Sequence, residues 1–388
     1  MSDATDNLLV QLSEEQRLLK DTVTRFVQKE VAPRAESIDH EDRFPRDLMY
    51  ELGQLGLLGV TVPEQYGGSE SGLLCQAIVV EELARASAGL ASSYAAHSNL
   101  VVDNLNRHAN HDQKAKYLPG LCSGDKIGCL AITEPGSGSD ALAMRTKAVR
   151  DGAYYILNGT KIFITNGPVA DIIVTYAKTA PEKGSKGIST FIVEKDFPGF
   201  LVGRKIEKMG HKGSPFGELI FEDCRVPAEN LVGEENSMVR MVLGGLHRER
   251  IVWSSEAVGI AQGAFDIAAK YAGEREQFGQ AIGEFQMIQE KLVDMALDIH
   301  IGRVLVQRCG AMADQGSVSD VGLDASYAKL FCGEMAERVT SKALHILGGY
   351  GYTKEFQVER FFRDAKAMPI GAGTSEIQRI IIARKVLR

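Results

Sequence analysis

Gly371-Ala372-Gly373-Thr374-Ser375-Glu376 carries the groups best placed to do chemistry. Its two glycines permit positive φ and close approach of backbone to a ligand. Thr374 and Ser375 can cap a helix expected over 376–385, leaving unpaired N–H groups aimed at whatever lies above the first turn. Such a terminus suits an anionic or carbonyl ligand. The preceding Arg360-Phe361-Phe362-Arg363-Asp364-Ala365-Lys366 reads as a short amphipathic run, joined to the cap by a flexible hinge at 370–373.

Four other stretches offer polar or aromatic groups. Leu130 to Asp140, LAITEPGSGSD, is a glycine-broken loop after a hydrophobic strand. Its hydroxyls and backbone N–H groups suit a flat polar heterocycle, and a long hairpin connection would read the same way. Lys161-Ile162-Phe163-Ile164-Thr165-Asn166-Gly167 puts the Phe163 ring and the Thr165 hydroxyl on one face of a strand and then turns. Arg275-Glu276-Gln277-Phe278-Gly279-Gln280, with Phe285-Gln286, ends one helix and begins another. Arg275 can meet a pyrophosphate bidentately or simply favour a helix C-terminus. Leu347-Gly348-Gly349-Tyr350-Gly351-Tyr352 imitates a dinucleotide loop. It follows a helical pattern, lacks the third glycine at the required spacing and opens no βαβ unit, so that reading is rejected.

The elements that must position these groups fall into three regions. Residues 12 to about 125 have a helical pattern, with Ser13 as a cap and Leu18, Leu19, Val23, Phe26 and Val27 at helical spacing. A loop at Pro63 to Gly68 precedes a helix expected over 78–86. From 126 to 235, short β-rich runs such as Ile172-Ile173-Val174-Thr175-Tyr176 alternate with Asn158-Gly159, Asn166-Gly167 and Pro198-Gly199. They predict a compact β-barrel or sandwich. From 236 to the end, long helical periods return with turns near 279–283, 315–320 and 348–353, predicting a bundle. The fold class is therefore α+β, with a helical domain over 1–125, a β-barrel-like domain over 126–235 and a four-helix bundle over 236–388.

A chain of 388 residues suffices for two or three domains with large cores. Forty-four Lys plus Arg against 51 Asp plus Glu give a net charge of -7, which argues against nucleic-acid and anionic-membrane binding. No run approaches the roughly 18 apolar residues of a membrane span. The acidic start, MSDATDNLLVQLSEEQ, shows neither a signal h-region nor an Arg-rich transit pattern. The expected location is the bacterial cytoplasm, or the mitochondrial matrix for a mature eukaryotic chain. Six cysteines, at 75, 122, 129, 224, 309 and 332, form no CxxC pair and no zinc spacing with His, so reduced core thiols and no metal are expected.

Taken in order, ITEPGSGSD, FITNG, REQFGQ, LGGYGY, RFFRDAK and GTSEIQR resemble the acyl-CoA dehydrogenase family over essentially the whole chain. The resemblance implies FAD at a subunit interface of a homotetramer, an acyl-CoA substrate, and an electron-transferring flavoprotein as acceptor. It also implies roles for particular positions. Leu130, Ile132, Thr133, Gly138, Ser139, Phe163, Ile164 and Thr165 would line the isoalloxazine ring, with Phe163 where most members have Trp. Arg275, Phe278 and Gln286 would reach the neighbouring subunit's FAD. His345, Gly348 and Gly349 would hold the adenosine end, and most relatives have Gln at 345. Thr374 and Glu376 would close on the ribityl and phosphate region. Ser139, Ser185, His247, Arg250 and Gly371 would meet the substrate, with His247 in place of a common Asp.

The same family places its base in a Tyr-Glu-Gly-Thr turn, but here Ala372 stands where that carboxylate should be. A minority branch, including isovaleryl-CoA and long-chain enzymes, carries the base on a bundle helix, and Arg248-Glu249-Arg250 matches that position. Glu249 is thus the expected base and the Ala372 backbone N–H the expected carbonyl donor. The small turn is expected to leave room for a β-branched, isovaleryl-like acyl group, which would place the enzyme in branched amino-acid or branched-acid catabolism. Citronellyl-CoA or another medium- or long-chain substrate is the alternative, and an inactive flavoprotein or adaptor is the alternative of another class.

Overall fold

The computed structural model describes residues 12–316 and 318–387. The first eleven residues, on which the compartment expectation largely rests, lie outside them, as does Ser317 of the expected turn at 315–320. Ser13 caps α1 (Glu14–Phe26): its hydroxyl accepts from the Gln16 N–H at 3.2 Å, while Gln16 Oε1 accepts from the Ser13 N–H at 2.9 Å. Both orphan donors are satisfied reciprocally. The helices α2 (Ala35–Glu41), α3 (Arg46–Gln54), α4 (Leu73–Ala84), α5 (Ala88–His97), α6 (Asn104–His108) and α7 (His111–Cys122) follow. A π-helical turn, Ser98–Asp103, joins α5 to α6.

The fourth helix starts five residues earlier than expected. Its cap comes from far away: the Asp314 carboxylate accepts from the Leu73 N–H at 2.6 Å and the Leu74 N–H at 3.0 Å. All twelve residues of α4 are buried. It packs against α1, α5 and two long helices of the C-terminal region, so it is apolar on nearly every side.

Eight strands form the middle layer: β1 (Gly128–Ala131), β2 (Lys147–Asp151), β3 (Tyr154–Thr165), β4 (Ile172–Lys178), β5 (Ile188–Glu194), β6 (Phe200–Lys205), β7 (Phe216–Pro227) and β8 (Leu231–Val232). Their order is β6-β7-β3-β2-β4-β5-β8, with β1 beside β4. The sheet does not close into a barrel, because the end strands β6 and β8 do not pair with each other. Its two halves touch through a single register pair, Lys147 opposite Lys178, and their apolar faces share one core that includes Leu157, Phe221, Ile173 and Phe191. This is the sandwich-like alternative.

The C-terminal region begins with α8 (Met238–Glu274), whose 37 residues span about 55 Å. A small hairpin, β9 (Glu276–Gln277) and β10 (Gln280–Ala281), turns through Phe278 and Gly279 at φ of 53° and 83°. Then come α9 (Gln286–Asp314), α10 (Val318–Leu347), α11 (Val358–Ala365) and α12 (Ser375–Val386). Helices α8, α9 and α10 pack on one another, and α12 packs on α10 to complete the bundle. The eleventh helix joins all three layers. Arg363 pairs with Asp39 at 2.8 Å and donates to the Met209 carbonyl, and Arg360 donates to the Ala86 carbonyl at 2.8 Å.

All six cysteines are free and buried. Among the described residues, no helix is long and apolar enough to cross a membrane.

Candidate active site

Glu249 and Trp253 lie one turn apart on α8 and therefore on the same face. Trp253 Nε1 donates to the Met368 carbonyl at 3.0 Å. The indole presses on the turn beyond: a Cβ added at Gly371 would stand 2.4 Å from Trp253 Cζ2. Helix geometry and this contact put Glu249 one helical turn from the ring that packs on Gly371. They also correct an expectation. The volume beside Gly371 is not vacant, because Trp253 fills it.

The turn is not a flexible hinge either. The Gly371 N–H donates to the Ala367 carbonyl at 3.0 Å and the Ser375 N–H to the Pro369 carbonyl at 2.9 Å. Buried Gln378 donates through Nε2 to the carbonyls of Gly373 at 3.0 Å and Ala372 at 3.4 Å. Thr374 is the N-cap, accepting from the Ile377 N–H at 3.3 Å, and Ser375 is the first helical residue rather than a second cap. Ala372 is locked at φ 53°, a left-handed conformation that costs an L-residue roughly 1–2 kcal/mol. Its N–H donates to no protein acceptor among the described residues.

Trp253 itself is braced. His211 stacks on it with ring centroids 6.2 Å apart and planes 12° apart. That imidazole contacts Ser92 Oγ at 2.7 Å and Glu256 Oε1 at 3.3 Å, and its Nε2 lies 2.8 Å from the Asp364 carbonyl. Burial opposes a charge on His211, but the hydrogen bond and charge of Glu256 prevail and raise its pKa.

Glu249 is half-buried, and desolvation raises its pKa against the opposing charges of Arg250 and Lys329. Lys329 is buried, donates to the Pro369 carbonyl at 3.2 Å, and is pushed down to about 8 by burial and by Arg250. Arg250 donates to Ser326 Oγ at 3.3 Å. The His247 ring is buried, its Nε2 without a partner, and burial together with Arg248, Arg107 and Arg250 pushes it down to about 4. It is neutral at physiological pH and no electrostatic substitute for a carboxylate. Glu249 opens on a cavity of about 30 Å³ whose apolar walls include Leu100, Leu130, Ile132 and Leu246. Leu130 and Ile132, expected beside the flavin, thus line the cavity at Glu249.

The loop after β1 is anchored by a buried ion pair that sequence reasoning missed. Lys161 Nζ lies 2.9 Å from Glu134 Oε1 and donates to the Ile132 carbonyl at 3.1 Å. Glu134 also accepts from the Arg145 N–H at 2.6 Å and the Thr146 hydroxyl at 2.5 Å. Burial lowers Lys161 to about 8 despite this partner. With its root fixed, the loop presents Gly138 and Ser139 to solvent, while Thr133 is half-buried and accepts from the Ile162 N–H at 2.9 Å. Phe163 takes φ 61° where the register between β3 and β7 shifts, so its ring projects outward, 52% exposed. It stacks on Phe216 at 5.5 Å and 17°. Ile164 does not line this shelf: its side chain is 3% exposed and packs into the sheet core. Thr165 is half-buried beyond it.

A second, larger groove of about 620 Å³ brings Arg275 and Phe278 together with Leu347, Gly349 and Tyr350 in one protomer. Arg275 lies 5.8 Å over the Tyr350 ring, and Phe278 is 96% exposed. Its lining comes only from 271–288 and 346–355, none from the loops at 130–139 or 163–165. Gln286, His345 and Gly348 neighbour lining residues in sequence but do not line the groove. Ser185 and Glu376 are exposed. An aromatic shelf, an open glycine loop and an exposed guanidinium fit the ring and phosphates of FAD.

Residues 13–125, 129–224 and 239–387 match the acyl-CoA dehydrogenase N-terminal, middle and C-terminal domains. Mitochondrial isovaleryl-CoA dehydrogenase of Pongo abelii is 45% identical over 383 residues, 98% of this chain and 90% of that one. The structure of butyryl-CoA dehydrogenase from Megasphaera elsdenii superposes with a TM-score of 0.95 at 38% identity, covering 98% of this chain and 100% of that chain. The structure of PigA with FAD and proline superposes at 0.93 with 33% identity, covering 97% and 99%. With matches along nearly its whole length, this chain belongs to the acyl-CoA dehydrogenase family, as a flavin-dependent oxidoreductase whose cofactor is FAD.

Proposed function

We propose that the protein dehydrogenates a short, β-branched acyl-CoA between Cα and Cβ, with Glu249 as the base. One observation carries this reading: a desolvated carboxylate on α8 stands a helical turn from the indole that packs on Gly371, while the turn itself has no carboxylate at 372. A raised pKa brings a carboxylate closer to the basicity needed for α-proton abstraction. The unpartnered Ala372 N–H donates to the thioester carbonyl and stabilises the charge that develops as the proton leaves. Bound FAD supplies the hydride acceptor. The left-handed backbone at 372, fixed by Gln378, keeps that donor in place before substrate arrives.

The branched acyl group is supported by the isovaleryl relative, while the space beside Gly371 is narrower than the turn's small residues alone imply. The branched reading therefore concerns one short branch, as in leucine breakdown. Electrons then leave to an electron-transferring flavoprotein. Anaerobic titration of the yellow holo-protein with isovaleryl-, butyryl- and citronellyl-CoA tests the reading. Isovaleryl-CoA should bleach the flavin most efficiently. A citronellyl-CoA preference would remove the short-chain assignment, and a flavin that no acyl-CoA bleaches would leave the adaptor alternative standing.

A further inference from the structure

The cavity beside Glu249 is not apolar throughout. Asp103, the last residue of the π-helical turn Ser98–Asp103, lines it with Arg107 and Arg248. Asp103 is 1% exposed and receives both ends of the Arg248 guanidinium, Nε at 2.8 Å and a terminal nitrogen at 2.8 Å. Arg107 Nε reaches the same carboxylate at 3.0 Å. The bridge bolts the π turn to α8 one residue before the base and closes one side of this narrow cavity.

We propose that the Arg248–Asp103 bridge is the plug of the acyl cavity and sets the longest acyl chain the enzyme accepts. This deepens the acyl-CoA reading of the site and rests on it. A buried bidentate pair makes a hard stop. Lengthening the substrate by a few methylenes would require prising a guanidinium from a carboxylate in a poorly solvated place, which leaves charge uncompensated. A leucine at the same place would simply repack. The geometry also explains how the plug can be removed without collapse. Asp103 keeps Arg107 when Arg248 is lost, so the buried carboxylate is not left without a cation.

The test compares Arg248→Leu and Arg248→Lys with the wild-type holoenzyme, using kcat/KM for octanoyl-CoA relative to isovaleryl-CoA, with flavin content measured in parallel. In Arg248→Leu the ratio should rise about tenfold or more, the scale set by one added methylene in an apolar pocket, and mainly through KM for octanoyl-CoA. Arg248→Lys, which keeps a cation opposite Asp103, should stay near the wild-type ratio. An unchanged ratio in Arg248→Leu overturns the plug. Should that variant not fold, the wild type alone decides: equal efficiency with octanoyl- and isovaleryl-CoA refutes it. So does a wild-type preference for glutaryl-CoA, which would show the guanidiniums recruiting an anion. Failure of every acyl-CoA to bleach the wild-type flavin would instead sink the acyl-CoA reading on which the proposal rests.

Discussion

Glu249 is a charge that a sequence reading would ordinarily leave on a solvated helix face, flanked as it is by two arginines. Its environment separates it from its neighbours. Glu249→Gln keeps shape and much of the hydrogen bonding, so fold, colour and acyl-CoA binding should persist, while flavin reduction falls by roughly 10²- to 10⁴-fold. Near-normal reduction in rapid-mixing experiments would place the base elsewhere. The pH dependence follows from sign. A base whose pKa is raised by burial works only once ionised, so reduction should climb with pH along a limb above the ordinary carboxylate range. Lys329 holds that pKa down, so Lys329→Met should move the limb to higher pH; a limb that stays put or moves lower would show that the two charges are not coupled. The proposal for the base starts from a substitution pattern legible in the sequence, Ala at 372 with Glu at 249. Its support was not legible there, because Trp253, Lys329 and Gln378 reach the site only through tertiary packing.

Elements explain where reading by periodicity stops. Helix α4 takes its cap from Asp314, 241 residues away, so no local signal marks Leu73 as a start. Phe163 and Ile164 point to opposite faces as strand alternation requires, so Ile164 enters the sheet core rather than the shelf its neighbour forms, while the register shift beside them left no local signal. The small turn at 371–373 was legible as glycine chemistry, but not the ring that occupies its lee. Gly371→Ala should force Trp253 aside, cutting activity and shifting the emission of the chain's single tryptophan. Adding Trp253→Leu should restore much of the loss, and a double variant no better than the single one would exclude steric conflict as the cause. In the sheet, Lys161→Met leaves Glu134 buried without its cation, and about 3 kcal/mol of stability should disappear in urea titration. A loss below about 1 kcal/mol would mean that the remaining hydrogen bonds to Glu134 suffice.

At the scale of the molecule, the order helical layer, β layer, bundle was readable from texture alone, and the barrel-or-sandwich ambiguity was not resolvable from strands whose pairing partners are distant. The groove at Arg275 is separated from the flavin loops in its lining, which agrees with a cofactor completed across subunits. Exposed Met287, Val293 and Leu297 on α9 give the expected homotetramer an apolar face to bury. Light scattering of the holo-protein should show that tetramer, and Arg275→Ala should release FAD on dilution, since an arginine–phosphate contact is charge-assisted. A fully flavinated monomer, or undiminished retention in the variant, would count against those assignments. The buried thiols have a use of another kind. They fall two by two, Cys75 and Cys122 in α4 and α7, Cys129 and Cys224 in β1 and β7, Cys309 and Cys332 in α9 and α10. Burial raises every one of them, Cys75 to about 11 and Cys122 to about 12, so the closed protein offers a labelling reagent almost no thiolate. The order in which an alkylating reagent marks the pairs therefore timestamps the opening of each layer, and shows whether the three come apart together or in sequence.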